Sequence, residues 1–490
     1  MVLVLPLLLL LLGSSPTTRA ADDHTSSHAA CSRHSVISPP QHGSWVPLYR
    51  HLGPCSPPSS FTGAAKKKPP SLADLLRQDQ LRVDHIHRRL SESGEDFGVS
   101  KEGSSVKDPL RFEAAYLHDQ PVIQVLLGSQ PKSSDKQQQQ SQVGVIQTVV
   151  LDTASDVPWV QCVPCPIPPC HTQTDTFYDP TKSSTYDPVS CGSPACAQLG
   201  RLYSGGCASD HCQYRVRFPN SNVSSSSGAY ATDLLAVGPG AQITFRFGCS
   251  HADANTDDAD HGGGGGGDNV TAAGVMALGG GPESLASQAA GTYGPAFSYC
   301  IPAAGSRRLG FFVLGGAPGA GGGVSSSQYV ATPMLRYQRV PTFYRVRLLG
   351  IAVNGQLLNV TPSAFAAGAV LDARAAVTRL PPTAYAALRE AFRGWMAAYT
   401  AAPPPKGGLL DTCYDFAGAF FVVPPRIELV FERGNVLELD RTGVLFHDCL
   451  AFAANRDDRM PGIIGNLQQQ TMEVLYDVGA GAVGFRRGAC

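Results

Sequence analysis

Two aspartates, Asp152 and Asp372, stand in matching settings in the two halves of the sequence, and both could do acid–base chemistry. Asp152 follows the apolar run Val149-Val150-Leu151, and Asp372 follows Ala369-Val370-Leu371. A run of this kind indicates a buried strand, so each carboxylate would lie at a strand end. Buried carboxylates are costly unless they are paired or used, which favours a catalytic dyad. The alternative is two unrelated aspartates in turns, where this residue is common.

The composition is typical of a turn-rich β protein. The chain has 490 residues, with 52 Gly, 38 Pro and only 16% charged residues. Such a composition favours β structure over a helical fold. The formal net charge is −1 and the sequence has no long basic run, which argues against nucleic acid as a partner.

Residues 1–20 are predicted to be a signal peptide. Val2 to Leu12 form an apolar core, and small residues lead to Ala20, although no Lys or Arg precedes the core. This core is too short to span a bilayer, so a retained membrane anchor is the less favoured alternative. We therefore expect a secreted or vacuolar protein with no membrane attachment after signal removal. Glycosylation sequons that fit this route lie at Asn222, Asn269 and Asn359.

The fourteen cysteines are expected to form disulfides, because the chain is predicted to be secreted. Cys31 and Cys55 precede the main body. The twelve others predict six disulfides among Cys162, Cys165, Cys170, Cys191, Cys196, Cys207, Cys212, Cys249, Cys300, Cys413, Cys449 and Cys490. The first three, with His171, could instead bind zinc. The crowding of cysteines between 162 and 212 favours a loop that is cross-linked by disulfides. We predict no metal or cofactor.

An amphipathic helix is predicted just ahead of the main body. Ser71-Leu72-Ala73-Asp74 has a capping-box pattern, and apolar residues at helical spacing follow as far as Leu90. The opposite faces carry Arg77, Arg82, Arg88 and Arg89. An isolated basic helix before a secreted body is typical of a removable prosegment. The alternative is a helix that packs permanently on the mature domain.

From about residue 110 onward, short apolar runs alternate with Gly, Pro and Ser clusters, which predicts an all-β body. The expected strands are 122–127, 143–151, 243–247, 311–314, 343–353, 420–423 and 427–431. One further helix is predicted over 383–399, after Pro381-Pro382.

Many short motifs, in order along the chain, resemble those of pepsin-like aspartic proteases of the plant nepenthesin-like group. They include Trp159-Val160-Gln161-Cys162, Ser183-Ser184-Thr185-Tyr186, Phe297-Ser298-Tyr299-Cys300, Val377-Thr378-Arg379-Leu380-Pro381, Asp411-Thr412-Cys413-Tyr414 and Ile463-Ile464-Gly465-Asn466. The resemblance covers nearly everything from the signal peptide to Cys490. It implies a mainly all-β, bilobal fold with a cleft between two β-rich lobes.

The resemblance also implies how the chain is divided. Residues 1–20 would be the signal peptide and 21–115 the prosegment, removed by cleavage near 105–118. Residues 116–330 would form the N-terminal lobe with a Cys-rich insertion, and 331–490 the C-terminal lobe. Cys413 and Cys449 would form a disulfide. The protein would be a monomer whose cleft binds its own prosegment and then a protein or peptide substrate.

The chemistry of this class is peptide hydrolysis by one water held between two carboxylates that share a proton. One ionised carboxylate is the general base, and its protonated partner polarises the scissile carbonyl. Two carboxylates about 3 Å apart cannot both ionise, so such a dyad works at acidic pH. Asp152 and Asp372 are the two residues with the right context for these roles.

Both aspartate loops depart from the family pattern, in which a hydroxyl residue and then a glycine follow each Asp. Asp152 is followed by Thr153, Ala154 and Ser155, where Ala replaces the glycine; its methyl is tolerated if φ stays negative. Asp372 is followed by Ala373, Arg374 and Ala375, without hydroxyl or glycine. We expect Thr153 to lose its buried hydrogen-bond partner.

Arg374 presents a sharper problem for the dyad. If its guanidinium turns toward the two carboxylates, it favours ionisation of both and removes the shared proton. If the side chain points away, the damage is steric and local. The sequence does not choose between these two orientations.

Two supporting segments are also altered. Phe218 and Pro219 stand where the family's flap has Tyr-Gly, so flap closure is expected to change. Beside the first Asp loop, Val275-Met276-Ala277 has lost the glycine that Ile463-Ile464-Gly465 retains beside the second. The predicted function is therefore an aspartic-type endopeptidase with impaired catalysis. The alternative is a catalytically inactive, inhibitor-like protein that binds a protein or peptide partner.

Overall fold

The computed structural model describes most of the predicted body and parts of the segment that precedes it. The described residues are 31, 36, 43–57, 71–92, 119–129, 144–165, 170, 173, 175–217, 224–239, 242–252, 272–316, 329–337 and 339–490. The predicted signal peptide and the predicted cleavage region at 105–118 lie outside these residues.

Strands dominate the described residues, which confirms the mainly β fold. The strands before residue 340 are β1 Ser44–Arg50, β2 Pro121–Leu127, β3 Val145–Asp152, β4 Trp159–Gln161, β5 Asp187–Pro188, β6 Ser204–Ala208, β7 His211–Arg217, β8 Ser224–Ala236, β9 Ile243–Ala252, β10 Gly274–Ala277, β11 Ala296–Cys300, β12 Gly310–Leu314 and β13 Val330–Arg336.

The remaining strands follow residue 340. They are β14 Tyr344–Val346, β15 Leu348–Val353, β16 Gln356–Leu357, β17 Ala369–Leu371, β18 Thr378–Leu380, β19 Thr400–Ala402, β20 Cys413–Asp415, β21 Ile427–Phe431, β22 Val436–Glu438, β23 Leu445–Phe446, β24 Cys449–Leu450, β25 Phe452–Ala454, β26 Gly462–Ile464, β27 Glu473–Asp477 and β28 Ala482–Arg486. The helices are α1 Leu72–Glu92, α2 Pro194–Gln198, α3 Gly200–Tyr203, α4 Leu285–Tyr293 and α5 Pro382–Trp395.

One strand arrangement occurs twice, once beside each aspartate. β3 pairs in parallel with β10, with Asp152 opposite Ala277. β17 pairs in parallel with β26, with Leu371 opposite Ile464. All residues of β10, β17 and β26 are buried, as expected for apolar strands covered on both faces. The apolar runs before the two aspartates therefore form buried strands, as the sequence predicts.

A continuous sheet links the two halves of the sequence. Twenty strands belong to it, and the pairing of β11 with β27 joins an early strand to a late one. The rings of Phe297 and Tyr476 stack across this pair, with their centroids 4.5 Å apart. Two four-stranded sheets, β16-β15-β21-β22 and β19-β20-β24-β23, complete the later half.

The described parts of the segment that precedes the predicted body belong to the folded structure. β1 pairs antiparallel with both β2 and β12. Helix α1 begins as predicted, with the Asp74 backbone N–H donating to Ser71 Oγ at 3.2 Å. Its apolar residues Val83, Ile86 and Leu90 are buried in one cluster with residues of both aspartate loops, among them Ala154 and Ala375. α1 therefore packs directly on the two loops.

Seven disulfides are present, and the twelve body cysteines form six of them, as predicted. The pairs are Cys31–Cys55, Cys162–Cys249, Cys165–Cys170, Cys191–Cys207, Cys196–Cys212, Cys300–Cys490 and Cys413–Cys449. The zinc alternative is wrong, because the three cysteines that it required are all bonded to other cysteines.

One predicted strand is absent, and one predicted helix is shorter than expected. The strand expected at 420–423 does not form: Phe420 is 99% exposed and Phe421 71% exposed, so no partner surface stabilises them. Helix α5 ends at Trp395, four residues before the predicted end. Among the described helices, none has the length and apolar character needed to cross a membrane.

Candidate active site

Asp152 and Asp372 meet at the site that the repeated arrangement builds. Their residues are 2% and 0% exposed, so both carboxylates are buried. The Asp152 carbonyl accepts from the Leu278 N–H at 2.8 Å, and the Asp372 N–H donates to the Ile464 carbonyl at 3.1 Å. The strands beside each loop therefore fix the backbone on which each carboxylate stands.

The expectation that Thr153 lacks a partner is wrong. Its Oγ1 donates to the Leu371 carbonyl at 3.3 Å and accepts from the Ala373 N–H at 3.0 Å. Both partners are backbone groups of the opposite loop, so they persist although residue 373 carries no hydroxyl. Thr153 thus still ties the two loops together.

The backbone after each aspartate contacts that residue's own carboxylate in the same way in both loops. The Ala154 N–H donates to Asp152 Oδ1 at 2.9 Å, and the Arg374 N–H donates to Asp372 Oδ1 at 3.0 Å. Ala154 is not among the residues with positive φ, so its methyl group is accommodated without backbone strain. Replacement of both glycines has therefore not removed these amide contacts.

The outer parts of the loops are held by backbone contacts with neighbouring segments. The Ser155 carbonyl accepts from the Gly279 N–H at 2.8 Å, and the Ala375 carbonyl accepts from the Asn466 N–H at 2.6 Å. Asn466 Nδ2 also donates to the Ala373 carbonyl at 3.2 Å.

The close approach at Gly465 explains why glycine is present there, because a Cβ would lie 2.5 Å from the Ala376 carbonyl oxygen. The equivalent Ala277, beside the first loop, is fully buried with its methyl group. The lost glycine of the first segment is therefore accommodated.

The side chain of Arg374 turns toward the dyad. Its Nη1 donates to Asp152 Oδ2 at 2.8 Å, and its Nε donates to Gln120 Oε1 at 2.9 Å. The side chain is only 11% exposed. Of the two orientations that the sequence left open, the structure has the one that places a cation on the dyad.

A second cation, Arg82 of α1, contacts both carboxylates. Nε and Nη2 donate to Asp372 Oδ2 and Oδ1, at 2.8 and 3.0 Å. Nη2 and Nη1 donate to Asp152 Oδ1 and Oδ2, at 2.5 and 3.1 Å. Two edges of one planar guanidinium thus each bind a carboxylate bidentately, which the ammonium of a lysine could not do.

These cations change the ionisation of the site. Burial alone would raise the pKa of Asp152, but the ion pairs with Arg82 and then Arg374 outweigh it and hold that pKa below its usual range. Burial would likewise lower the pKa of Arg82, yet the two carboxylates raise it. Asp152 is therefore ionised, and two guanidinium groups surround it.

Further contacts hold α1 along its length. Asp79 forms a fully buried ion pair with Arg379, with 2.7 Å between Oδ2 and Nη2. His87 Nε2 lies 2.9 Å from the Pro461 carbonyl oxygen. Arg89 Nη2 donates to Thr342 Oγ1 at 3.1 Å. Thr342 in turn donates to Asp156, which directly follows Ser155 of the first aspartate loop.

Several predicted site residues lie outside the described residues. They are Phe218 and Pro219, the predicted flap residues, and the sequons Asn222 and Asn269. Asn359 is described and exposed, as a glycosylation site must be.

Four residues of the site are not predicted from the sequence: Arg82, Asp79, Arg379 and Gln120. The helical periodicity places Arg82 on the polar faces of its helix. One signal was available, because Asp79 and Arg82 are three residues apart and so share a face of α1 that adjoins the apolar one. The partner of that face could not be read from spacing alone.

Two family models match most of the described body. The model described as xylanase inhibitor N-terminal matches residues 137–316, and the one described as xylanase inhibitor C-terminal matches residues 343–487.

Known proteins from plants are similar over most of their length. The chain is 33% identical to an aspartyl protease family protein of Arabidopsis thaliana, over 87% of this chain and 84% of that protein. It is 31% identical to aspartyl protease AED1 of the same plant, over 85% and 82%. It is 30% identical to aspartic proteinase nepenthesin-2 of Nepenthes gracilis, over 69% and 73%.

Solved structures share the fold. The crystal structure of edgp superposes with a TM-score of 0.55 at 20% identity and covers 75% of this chain and 91% of its own. Basic 7S globulin from soybean gives 0.55 at 18% identity, with the same coverage.

Proposed function

The chain belongs to the plant aspartyl protease family, and from this premise we propose that it is a secreted aspartic-type endopeptidase made as an inactive precursor. Asp152 and Asp372 would form the catalytic dyad, and α1 would block it until the preceding segment is cleaved. Seven disulfides support the secretory route, because such bonds persist in oxidising compartments.

The observation that carries this proposal is the double bidentate contact of Arg82. A working dyad needs a water between its carboxylates, within reach of both. The Arg82 guanidinium lies within reach of both carboxylates, as that water must, and makes four hydrogen bonds to them. Substrate hydrolysis therefore requires that α1 leave the site.

Once α1 is released, the loops can still support peptide hydrolysis, but less effectively than intact loops would. The ionised carboxylate would take a proton from the attacking water, and the protonated partner would donate to the carbonyl oxygen of the substrate. Thr153 and the two loop amides would keep the carboxylates in place. Arg374 would remain, since it belongs to the body, and would oppose the protonation that the acid partner needs. We therefore propose weak activity that requires strongly acidic pH.

A second candidate function is favoured by the same Arg374–Asp152 ion pair. If the ion pair persists at every accessible pH, the Asp152 carboxylate stays bound to Arg374 and cannot share a proton with Asp372, so the site does not hydrolyse a peptide. The protein would then bind a protein or peptide partner in the groove that α1 fills, without cleaving it.

One experiment separates these candidates. The full chain is folded, cut between residues 93 and 118, and assayed on a denatured protein from about pH 2.5 to 6, with and without a statine-type inhibitor. Cleavage that the inhibitor stops and that Asp152→Asn abolishes supports the endopeptidase. Retained inhibitor binding without cleavage at any pH supports the binding protein. Turnover equal to that of a relative with intact loops contradicts the proposed loss of activity.

A further inference from the structure

We infer that the groove under α1 contains a carboxylate-binding subsite, formed by the Arg379 guanidinium and the Ala376 backbone N–H. In the precursor Asp79 fills it. In the processed protein it would take an acidic side chain of the bound peptide. The inference rests on the proposed release of α1, and the experiment below tests the two separately.

The subsite has a separate donor for each oxygen of a carboxylate. Arg379 Nη2 donates to Asp79 Oδ2 at 2.7 Å, and the Ala376 N–H donates to Asp79 Oδ1 at 2.5 Å. The side chains of Arg379 and Asp79 are 0% and 1% exposed, so water does not compete for these bonds. Charge-assisted hydrogen bonds of this geometry recognise carboxylates specifically.

The cation is held in place by the body, not by α1. Arg379 lies in the middle of β18, opposite Ile463 of β26 and Ala453 of β25. Its Nη1 donates to the Val377 carbonyl at 2.8 Å, which orients the guanidinium. A site built on paired strands keeps its shape better than one on a loop. The donors should therefore persist when α1 leaves.

The counter-charge, in contrast, comes entirely from α1. Among the described residues, Asp79 is the one acidic residue that forms an ion pair with Arg379. Within the same described residues, the Arg379 Nε has no hydrogen-bond partner. A buried cation that loses its counter-ion is strongly disfavoured. Release of α1 therefore leaves an unpaired guanidinium that favours the binding of another carboxylate.

The subsite lies close to the dyad. Asp79 and Arg82 are three residues apart on α1, which places their Cβ atoms about 5–6 Å from each other on one helix face. Arg82 contacts both catalytic candidates, so the carboxylate site is about one helical turn away from them. An extended peptide advances about 3.3 Å per residue, so an acidic residue would reach the subsite within about three positions of the scissile bond.

A synthetic peptide of residues 71–92 tests the inference without any substitution in the body of the protein. The full chain is folded and cut between 93 and 118, the released segment is removed at acidic pH, and peptide binding is then measured near pH 6. The peptide with Asp79→Asn should bind at least about tenfold more weakly than the unmodified one. The matched control is Asp84→Asn, since Asp84 pairs with the exposed Arg456. This control should weaken binding by less than about threefold.

The body variant Arg379→Gln completes the test. In it, the Asp79→Asn change should no longer affect binding, whereas in Arg456→Gln it should still do so. If Arg379→Gln does not fold, the two peptide variants on the unaltered body decide the question. Where the processed chain hydrolyses peptides, a peptide library should show a preference for Asp or Glu at one position near the scissile bond.

The outcomes distinguish the subsite from the proposed function. Discrimination between the two peptide variants without hydrolysis supports the subsite and contradicts the endopeptidase. Hydrolysis with equal binding of the two variants keeps the endopeptidase and overturns the subsite, leaving Arg379 a structural role. Failure of the unmodified peptide to bind also overturns the subsite.

Discussion

Arg374 Nη1 lies 2.8 Å from Asp152 Oδ2, so the loop that carries one aspartate supplies a cation to the other. The backbone N–H of the same residue donates to Asp372. Arg374 therefore contacts both carboxylates, and Gln120 holds its guanidinium in this orientation. The ion pair opposes the proton sharing that the chemistry of an aspartic dyad requires.

Replacement of Arg374 should restore activity. In the processed chain Arg82 has left with α1, so Arg374→Gly removes the remaining one of the two cations that lower the pKa of Asp152, and that pKa should rise. We expect the processed chain to gain about 10- to 100-fold in peptide turnover, with the pH optimum shifted upward. The measurement is cleavage of a denatured protein across the acidic range.

The triple variant Ala373→Ser, Arg374→Gly, Ala375→Thr is the comparison for this prediction. Since Thr153 already has backbone partners, the two added hydroxyls should contribute little beyond the single change. A gain in the triple variant without a gain in Arg374→Gly would contradict the assignment of the defect to the Arg374 charge.

Thr153 should prove important for the stability of the two loops. Thr153→Val removes both hydrogen bonds to the opposite loop and leaves the buried Leu371 carbonyl and Ala373 N–H unpaired. We expect a loss of about 1–3 kcal/mol in the free energy of unfolding, measured by denaturant titration of the full chain. Thr153→Ser keeps the hydroxyl and should lose well under half of this; equal losses in the two variants would refute the role of these bonds.

Much of the site was predictable because it depends on local pattern. The apolar runs before Asp152 and Asp372 predict buried strands, and both form. The capping box at Ser71 predicts the start of α1. The twelve body cysteines predict six disulfides, which the structure contains.

The unpredicted features depend on tertiary contacts. The partners of Thr153 are backbone groups, which no side-chain pattern reveals. Helical periodicity places Arg82 on a polar face of α1, but periodicity does not reveal which surface that face contacts. The apolar run at 420–423 has strand composition, yet β structure needs a neighbouring strand and none pairs with it.

Arg82 should control access to the dyad in the uncut chain. Arg82→Gln removes the double bidentate contact, and Arg82→Lys keeps the charge but cannot bind both carboxylates bidentately. We expect inhibitor binding to the uncut chain to strengthen by about 100-fold in Arg82→Gln and by less in Arg82→Lys. Arg88→Gln, a matched loss of one cation from α1, should change it little. Equal effects of Arg82→Gln and Arg88→Gln would show that only the overall charge of α1 matters.

His87 makes the docking of α1 sensitive to acid. Burial lowers the pKa of His87 to about 4; the Pro461 carbonyl and Asp84 oppose this shift, and Arg379 and Arg456 reinforce it. The pKa of a free histidine is about 6.5, so released α1 binds the proton more readily than docked α1. Docking is therefore strongest above about pH 6.5 and weakens as the pH falls toward 4. His85 acts in the same direction, since burial and then Arg89, Arg82 and Arg88 lower its pKa to about 3.

His87→Gln should delay the release of α1 on acidification. Glutamine can still donate to the Pro461 carbonyl but does not titrate, so a contribution on the order of 3 kcal/mol to acid-driven release is lost. In the chain cut between 93 and 118, the pH at which half of α1 has dissociated should fall by about half a unit or more. The control is His211→Gln, which alters an exposed histidine on β7. An unchanged release midpoint in His87→Gln would mean that protonation of the carboxylates, and not of this histidine, drives the release of α1.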